Sequence, residues 1–196
     1  MFIDVVAEPD AQGELADWYT GQRQMWGFLP DYAHCFSARP EVGHAWAGLN
    51  LAIRGGMDRR RYELATLAAA RELRSTVCTV AHSTFLRDVC GDLATVESVA
   101  EHPDGSGLDP TDAEVFRFAA LVARDASAVT AQDVERLRAV GLSDKDVTDV
   151  VLAAAARAFF TKVLDGLGAR ADRQAADTFS ADLQASMVVG RPIGDG

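Results

Sequence analysis

Cysteine and proline are scarce in this sequence. Its 196 residues include three cysteines, Cys35, Cys78 and Cys90, and six prolines, which lie mostly between periodic segments. An odd number of widely spaced cysteines does not make a disulfide framework. The chain is long enough for one domain with an ample hydrophobic core, and this core has to hold the fold together without disulfides.

Basic residues are outnumbered as well. The chain has 19 Lys and Arg against 29 Asp and Glu, a net charge of −10. This charge disfavours a phosphate-binding surface, so nucleic acid is not expected as a partner. No apolar run is long enough to span a bilayer, and no membrane partner is expected. The Met1–Val6 stretch lacks the basic and long apolar segments of a signal peptide, so a reducing cytoplasm is the expected location.

Strand-like alternation of apolar and polar residues is missing too, whereas helical periodicity recurs along the chain. The sequence therefore predicts an all-α, multi-helical bundle built on helical hairpins. We expect a single domain over residues 1–196, with a core at about 10–170, an N-terminal arm at 1–9 and a C-terminal helix and tail at 169–196. Capping patterns at Thr130 with Asp133 and at Ser143 with Asp146 mark two helix starts. Helices are predicted at 10–26, about 40–54, about 63–74, 75–89, 92–101, 110–124, 130–140, 143–166 and 169–187.

The stretch from Glu63 to His82, ELATLAAARELRSTVCTVAH, collects the reactive side chains. We interpret it as two helices that meet near residues 74–76. Ser75, Cys78 and His82 stand at i, i+3 and i+7, within about 60° of one helix face. Glu63 shares a face with apolar residues of the preceding helix, so its carboxylate is aimed at the interior.

This arrangement suits thiol chemistry, because a cysteine is a nucleophile only as thiolate. His82, one turn from Cys78, can hydrogen-bond the thiol and take its proton, and Glu63 can orient His82. The first turn of a helix would further favour the thiolate, so a depressed pKa of Cys78 is expected. Ser75 is expected to donate a hydrogen bond to the thiolate or to cap the helix.

Plainer interpretations of the same residues remain open. Free cysteine is usually a packing residue, and an adjacent histidine usually has an ordinary hydrogen bond. Glu63, Cys78 and His82 could bind zinc, but no further strong ligand is evident, and no metal or other cofactor is expected. His34 and His44 are expected to be exposed or to cap the core. The arginine run at 59–61 is expected to form a solvated face.

The stretch resembles the active-site segment of the carboxymuconolactone decarboxylase and alkylhydroperoxidase D (AhpD-like) superfamily. That pattern is Glu, eleven residues, then Cys-x-x-Cys-x-x-x-His; here Glu63 is followed by eleven residues and then Ser75, Cys78 and His82 at the same spacing. The segments GFLPDYAHCFSARP and SDKDVTDVVLAAAARAFFTKVLDGLG are similar to the peroxidase-related subgroup. Ser75 replaces the first cysteine, so the motif itself cannot close the disulfide of the peroxidatic members.

The resemblance implies an AhpD-like fold and a catalytic set of Cys78, His82, Glu63 and Ser75. It implies a thiol-dependent, antioxidant peroxidase of peroxiredoxin type, in which Cys78 attacks a small hydroperoxide and an external thiol serves as reductant. Two alternatives stay open: an acid/base enzyme that acts on a small lactone or acid through His82 and Glu63, and a non-catalytic family member. A homo-oligomer is expected, since relatives assemble and Ala-rich helices leave apolar surface uncovered.

Overall fold

All regular secondary structure is helical in residues 1–195, the part of the chain that the computed structural model describes. This confirms the prediction of an all-α bundle. Short 3₁₀ helices lie at Glu8–Asp10, Asp31–Phe36 and Ala126–Ala128. The α-helices are α1 (Glu14–Trp26), α2 (Pro40–Gly55), α3 (Arg59–Glu72), α4 (Thr76–Asp88), α5 (Leu93–Glu101), α6 (Pro110–Asp125), α7 (Ala131–Ala139), α8 (Asp144–Leu167), α9 (Arg173–Ala176) and α10 (Ala181–Met187).

Helix boundaries follow local capping chemistry. Both predicted capping boxes form, at Thr130 with Asp133 and at Ser143 with Asp146, where side chains satisfy backbone N–H groups that lack a partner in the helix. At the end of α1, Gly27 adopts φ 78°, the left-handed conformation that terminates helices.

Helix α3 is the centre of the fold. It packs against α4, α6 and α8, and every residue from Tyr62 to Ala70 is buried. Four alanines in this segment allow the surrounding helices to approach closely, because they add little volume beyond the backbone. Glu63 and Thr66 are therefore held in a rigid, fully packed element.

The predicted C-terminal helix at 169–187 is wrong. The chain instead forms α9 and α10, separated by a turn in which Phe179 is buried. Local tertiary bonds replace helical ones here: the Asp172 carboxylate accepts from the Asp31 N–H at 2.9 Å, and the Ala171 carbonyl accepts from the Gly194 N–H at 2.9 Å. None of the described helices is long and apolar enough to cross a membrane.

The sequence suggested that the arginine run at the start of α3 forms a solvated face, but the three arginines are engaged in ion pairs. Arg59 pairs with Glu63 at 2.6 Å, and Arg61 pairs with Asp146 at 2.5 Å. Arg60 bridges carboxylates of two other helix starts, Asp92 at 2.5 Å and Asp112 at 2.6 Å. Arg60 and Arg61 thus join α3 to α5, α6 and α8, whereas Arg59 pairs within α3; local sequence patterns could not reveal the pairs between helices.

Candidate active site

A sharp corner between α3 and α4 positions the candidate residues. Arg74 adopts φ 58°, and Ser75 is the N-cap residue of α4. Helix α4 then runs back along α3, so that His82 in the second turn of α4 faces Glu63 in the second turn of α3. Cys78 lies in the first turn of α4, as the sequence predicts.

Glu63 and His82 form a buried pair. His82 Nδ1 lies 2.6 Å from Glu63 Oε2, while the other carboxylate oxygen accepts from Arg59. Thr66 Oγ1 also lies 3.0 Å from Nδ1, but its own hydroxyl donates to backbone carbonyl oxygens of α3. Nδ1 must therefore carry the proton, which leaves Nε2 of His82 as an unprotonated acceptor.

The environment keeps this histidine neutral at physiological pH. Burial and the nearby Arg157 cation lower the pKa of His82 to about 4, and the Glu63 carboxylate offsets only part of that effect. Burial opposes the charge of Glu63, but His82 and Arg59 outweigh it and hold the pKa of Glu63 below its ordinary value. The pair consequently combines a carboxylate with a neutral imidazole, whose Nε2 can accept a proton but is a weak base at this lowered pKa.

The nearest charged partner of the thiol is an arginine rather than the histidine. Within residues 1–195, no hydrogen bond joins Cys78 to His82, whose Nδ1 is engaged by Glu63. Instead Nη1 of Arg157, from the middle of α8, lies 3.8 Å from Cys78 Sγ. Nη2 of the same guanidinium donates to the Tyr62 hydroxyl at 3.3 Å, and that hydroxyl donates to Asn50.

The expected depression of the Cys78 pKa is not found. Cys78 is only 1% exposed, and burial raises the pKa of its thiol above the ordinary value. The Arg157 cation and the Ser75 hydroxyl oppose this effect without overcoming it. The prediction from sequence weighed the helix N-terminus and His82, whereas desolvation is the largest influence at a thiol that is fully packed.

Ser75 lies at the rear of the site. Its side chain is fully buried, and its hydroxyl neither caps α4 nor meets a hydrogen-bond partner at close distance. The hydroxyl nevertheless lies near the Asp165 carboxyl and the Cys78 thiol, where it opposes without overcoming the burial that raises the pKa of each. It occupies the position of the first cysteine in the motif, beside the thiol but behind the cavity wall.

A cavity of about 270 Å³ opens in front of Cys78, and Glu63, His82 and Arg157 line it as well. One wall carries the stacked rings of Trp46 and Phe160, with centroids 4.6 Å apart. The remaining Trp, Tyr and Phe side chains come from α1, the following 3₁₀ helix, α3 and α4: Trp18, Trp26, Tyr32, Tyr62 and Phe85. The cavity can therefore take a small, largely apolar molecule and hold it against a thiol.

The other residues singled out in the sequence lie away from this cavity. Cys35 is buried, and burial raises the pKa of its thiol to about 12. Cys90 is half-buried beyond the end of α4, and His44 is exposed. His34 hydrogen-bonds Tyr19 at 3.0 Å near the N-terminal arm. No cluster of three His, Cys, Asp or Glu side chains suitable for a metal ion occurs in the described chain.

Sequence reasoning missed Arg157, Tyr62 and the aromatic walls. Arg157 is a single cation within VVLAAAARAFF, an otherwise apolar segment of α8. A buried helix rarely carries an arginine without a specific partner, so this residue could have been recognised as a candidate. Its partner could not, since Cys78 lies 79 residues earlier in the chain.

Comparison with known proteins defines the fold. No protein-family model and no curated protein matches the sequence. Among solved structures, the chain is similar to an AhpD-core, uncharacterized peroxidase-related protein from Ralstonia eutropha JMP134, with a TM-score of 0.77, 19% identity and 97% of each chain covered. A second uncharacterized peroxidase-related protein, from Silicibacter sp. TM1040, has a TM-score of 0.76 and 19% identity, with 88% of this chain and 92% of that chain covered.

A third similar structure is an enzyme. A cysteine-to-alanine variant of the debrominase Bmp8, in complex with 2,3,4-tribromopyrrole, has a TM-score of 0.72 and 14% identity, covering 95% of this chain and 96% of that one. These similarities confirm, at the level of the fold, the resemblance to AhpD-like, peroxidase-related proteins that the Glu63–His82 stretch indicated.

Proposed function

We propose that this protein is a thiol-dependent peroxidase, in which Cys78 reduces a small organic hydroperoxide and an external thiol restores it. The observation that carries the proposal is the position of the Cys78 thiol, at the wall of an aromatic cavity and 3.8 Å from the Arg157 guanidinium. A cation beside a thiol stabilises the thiolate, which is the form that attacks peroxide.

Arg157 and the Glu63–His82 pair have separate roles in this proposal. Burial disfavours a negative charge on the sulfur of Cys78, and the Arg157 cation opposes this effect by stabilising the thiolate. His82 Nε2 is a free acceptor at the same cavity, and it takes the thiol proton when a bound substrate or water connects the two groups. Glu63 holds the imidazole in the required tautomer.

The proposed reaction has two stages. The Cys78 thiolate attacks the distal peroxide oxygen, the O–O bond breaks, and the alkoxide takes a proton from His82 as it leaves as an alcohol; the sulfur becomes a sulfenic acid. One external thiol then condenses with the sulfenic acid, releases water and leaves a mixed disulfide. A second thiol breaks this disulfide, so that two external thiols are oxidised for each hydroperoxide reduced.

Peroxide treatment followed by mass spectrometry tests the first stage. Cumene hydroperoxide is added to the reduced protein, and sulfenic acid is trapped with dimedone. We expect the adduct on Cys78, and we expect Cys78→Ser to abolish hydroperoxide consumption with a dithiol reductant. Cys90→Ser is the matched control and should consume hydroperoxide as the wild type does.

The same experiment exposes the alternatives. An adduct on Cys90 alone, with unchanged turnover in Cys78→Ser, would contradict the proposal. Turnover of a small lactone or acid that survives Cys78→Ser but is lost in His82→Gln would favour acid/base chemistry. Absence of any reaction, with Cys78 unlabelled until the protein unfolds, would make it a packing residue.

Thiol-dependent removal of bromine from an aromatic ring is a second candidate. The aromatic walls of the cavity favour it, as does the fold shared with a debrominase. In such a reaction the ring exchanges a carbon–bromine bond for a carbon–hydrogen bond, two thiols become one disulfide, and bromide and a proton are released. Bromide release from a bromopyrrole, with a thiol reductant and with Cys78→Ser as control, distinguishes this activity from peroxide reduction.

A further inference from the structure

Arg157 is a buried cation without a carboxylate partner. Arg157 is 5% exposed, and within residues 1–195 no Asp or Glu carboxylate lies at ion-pair distance from its guanidinium. Its Nε has no hydrogen-bond partner, and its two other contacts, to Tyr62 and Cys78, are long at 3.3 and 3.8 Å. Burying a charge in this way is costly unless an anion compensates it.

Other arginines of the same core show what compensation looks like. Arg59 and Arg60, at the start of α3, contact carboxylates at 2.5–2.6 Å while remaining about one-third exposed. Arg157 is far more buried and has only neutral hydroxyl, thiol and aromatic neighbours within contact distance. Because burial raises the pKa of Cys78 and keeps its thiol neutral before the reaction, the charge of Arg157 has no anion beside it until the thiolate forms or an anionic molecule enters the cavity.

The carboxylate that shares the cavity does not fill this role. Both oxygens of Glu63 are already engaged, one by Arg59 and the other by His82. Glu63 repels an incoming anion to some extent, but Arg59 is its direct counter-ion and offsets this repulsion. At the cavity rim, Arg54 adds a second positive charge that attracts anions.

The size and walls of the cavity limit the rest of the ligand. A cavity of about 150 Å³ holds one benzene molecule, so a volume of about 270 Å³ accommodates a single ring with substituents. The Trp46 and Phe160 rings are stacked with an interplanar angle of 12°, and they present an aromatic surface beside the guanidinium. A flat ring packs well on such a wall.

We propose that the cavity binds an organic anion built on one aromatic ring, a carboxylate or a phenolate, whose negative oxygen accepts hydrogen bonds from Arg157. The ring lies against Trp46 and Phe160, with Cys78 within reach. This inference rests on the proposed function and deepens it by naming the class of hydroperoxide substrate: one aromatic ring that bears the hydroperoxide and also carries the anionic oxygen that Arg157 recognises. Arg157 is thus the residue that selects the charge of the ligand.

Calorimetry on the full-length protein at neutral pH measures whether the cavity prefers an anionic aromatic ligand over a neutral one. The probes are benzoate, its neutral counterpart benzamide, and acetate, which keeps the charge but lacks the ring. We expect benzoate to bind at least about tenfold more tightly than either of the others, because a charge-assisted hydrogen bond and ring burial both contribute. 4-Nitrophenol, measured on both sides of its own pKa, shows whether a phenolate is accepted equally.

Variants assign the effect to one residue. Arg157→Gln should bind benzoate and benzamide equally, whereas Arg157→Lys should keep part of the preference. Arg71→Gln removes a partly buried arginine of α3 that lies outside this cavity, and it should leave the preference unchanged. Bound benzoate should also slow alkylation of Cys78 in the wild type.

Two results would overturn the inference: equal binding of benzoate and benzamide by the wild type, or a preference that is lost in Arg54→Gln but kept in Arg157→Gln. If Arg157→Gln does not fold, the inference is tested by comparing benzoate with benzamide binding in the wild type and in Arg157→Lys. Binding of benzoate without peroxide reactivity would reject the proposed function alone. Peroxide reactivity without anion preference would reject this inference alone.

Discussion

Arg157 and Cys78 are 79 residues apart in the chain, yet the guanidinium Nη1 lies 3.8 Å from the thiol sulfur. Both side chains are almost fully buried. The contact couples α8 to the start of α4, and it supplies the positive charge that the motif residues do not. The thiol chemistry of this site therefore depends on a residue outside the motif.

Arg157→Gln should slow alkylation of Cys78 by about tenfold or more at pH 8. An adjacent opposite charge typically lowers a pKa by about one to three units, so its loss reduces the thiolate fraction accordingly. The measurement is the iodoacetamide rate at Cys78, followed by mass spectrometry so that Cys35 and Cys90 are counted separately. Arg71→Gln is the control, and an unchanged rate in Arg157→Gln would show that the cation does not stabilise the thiolate.

Acidification should destabilise the protein through His82. Its pKa is lowered to about 4 in the folded state, against an ordinary value of 6.5, so only the unfolded chain binds the proton between these values. The contribution of His82 to the free energy of unfolding is therefore fully present above pH 6.5. It is lost as the pH drops towards 4, and the loss is roughly 3 kcal/mol at most.

Urea unfolding of the wild type and His82→Gln, at several pH values, measures the His82 contribution as a difference. Subtracting the two curves cancels the titrating groups that do not interact with His82, so the difference reports the His82–Glu63 pair. The difference should change between pH 6.5 and 4.5 and be constant above. A difference that does not vary with pH would mean that His82 titrates alike in the folded and unfolded chains.

Asp172→Asn should stabilise the protein at neutral pH. Burial, with help from the Asp31 carboxylate, raises the pKa of Asp172 to about 6 from 3.8. The folded state holds the proton longer than the unfolded chain, so the stability present below pH 3.8 is lost as the pH rises through 6. Asparagine keeps the oxygen that accepts from the Asp31 N–H and carries no charge.

The expected gain for Asp172→Asn is about 1–3 kcal/mol at pH 7 and vanishes near pH 4. Thermal or urea unfolding at the two pH values measures it. Asp177→Asn, at an exposed position just after α9, is the control. Equal stability of wild type and Asp172→Asn at pH 7 would contradict the raised pKa.

Ser75→Cys should create a pair able to form a disulfide. The Ser75 hydroxyl has no close hydrogen-bond partner, so its replacement by a thiol loses no bond, and the site lies beside Cys78 at the start of α4. Peroxide should then convert Cys78 to a disulfide with the introduced thiol instead of a persistent sulfenic acid. Intact mass and dimedone labelling distinguish the two products; a trapped sulfenic acid in Ser75→Cys would show that the two sulfurs cannot meet.

Self-association remains a prediction of the sequence. Leu49 on α2 and Phe159 on α8 are 52% and 46% exposed, and Phe159 contacts Trp46 of α2 at 5.7 Å between ring centroids. Apolar groups exposed on two packed helices favour association. We expect light scattering to give a mass above that of one chain at micromolar concentration, and Phe159→Glu to reduce it, whereas a monomeric wild type would contradict the prediction.

Much of the fold could be predicted because helix formation is local. Capping residues such as Ser143 with Asp146, and breakers such as Gly27, act within a few residues of their position. The C-terminal segment escaped prediction for the opposite reason. Its backbone is held by the Asp31 carboxylate, which accepts from the Arg170 N–H, and by the tail, and no periodicity within 169–187 contains that information.

The sequence by itself determined which chemical groups could meet at the α3–α4 corner, because Glu63, Ser75, Cys78 and His82 lie on two adjacent helices at helical spacing. Only the tertiary structure decided how they are used. Packing brought Arg157 of α8 to the thiol, placed Glu63 on His82, and surrounded Cys78 with apolar side chains that raise its pKa. Desolvation and through-space charge depend on every element around a group, and spacing along one segment cannot specify them.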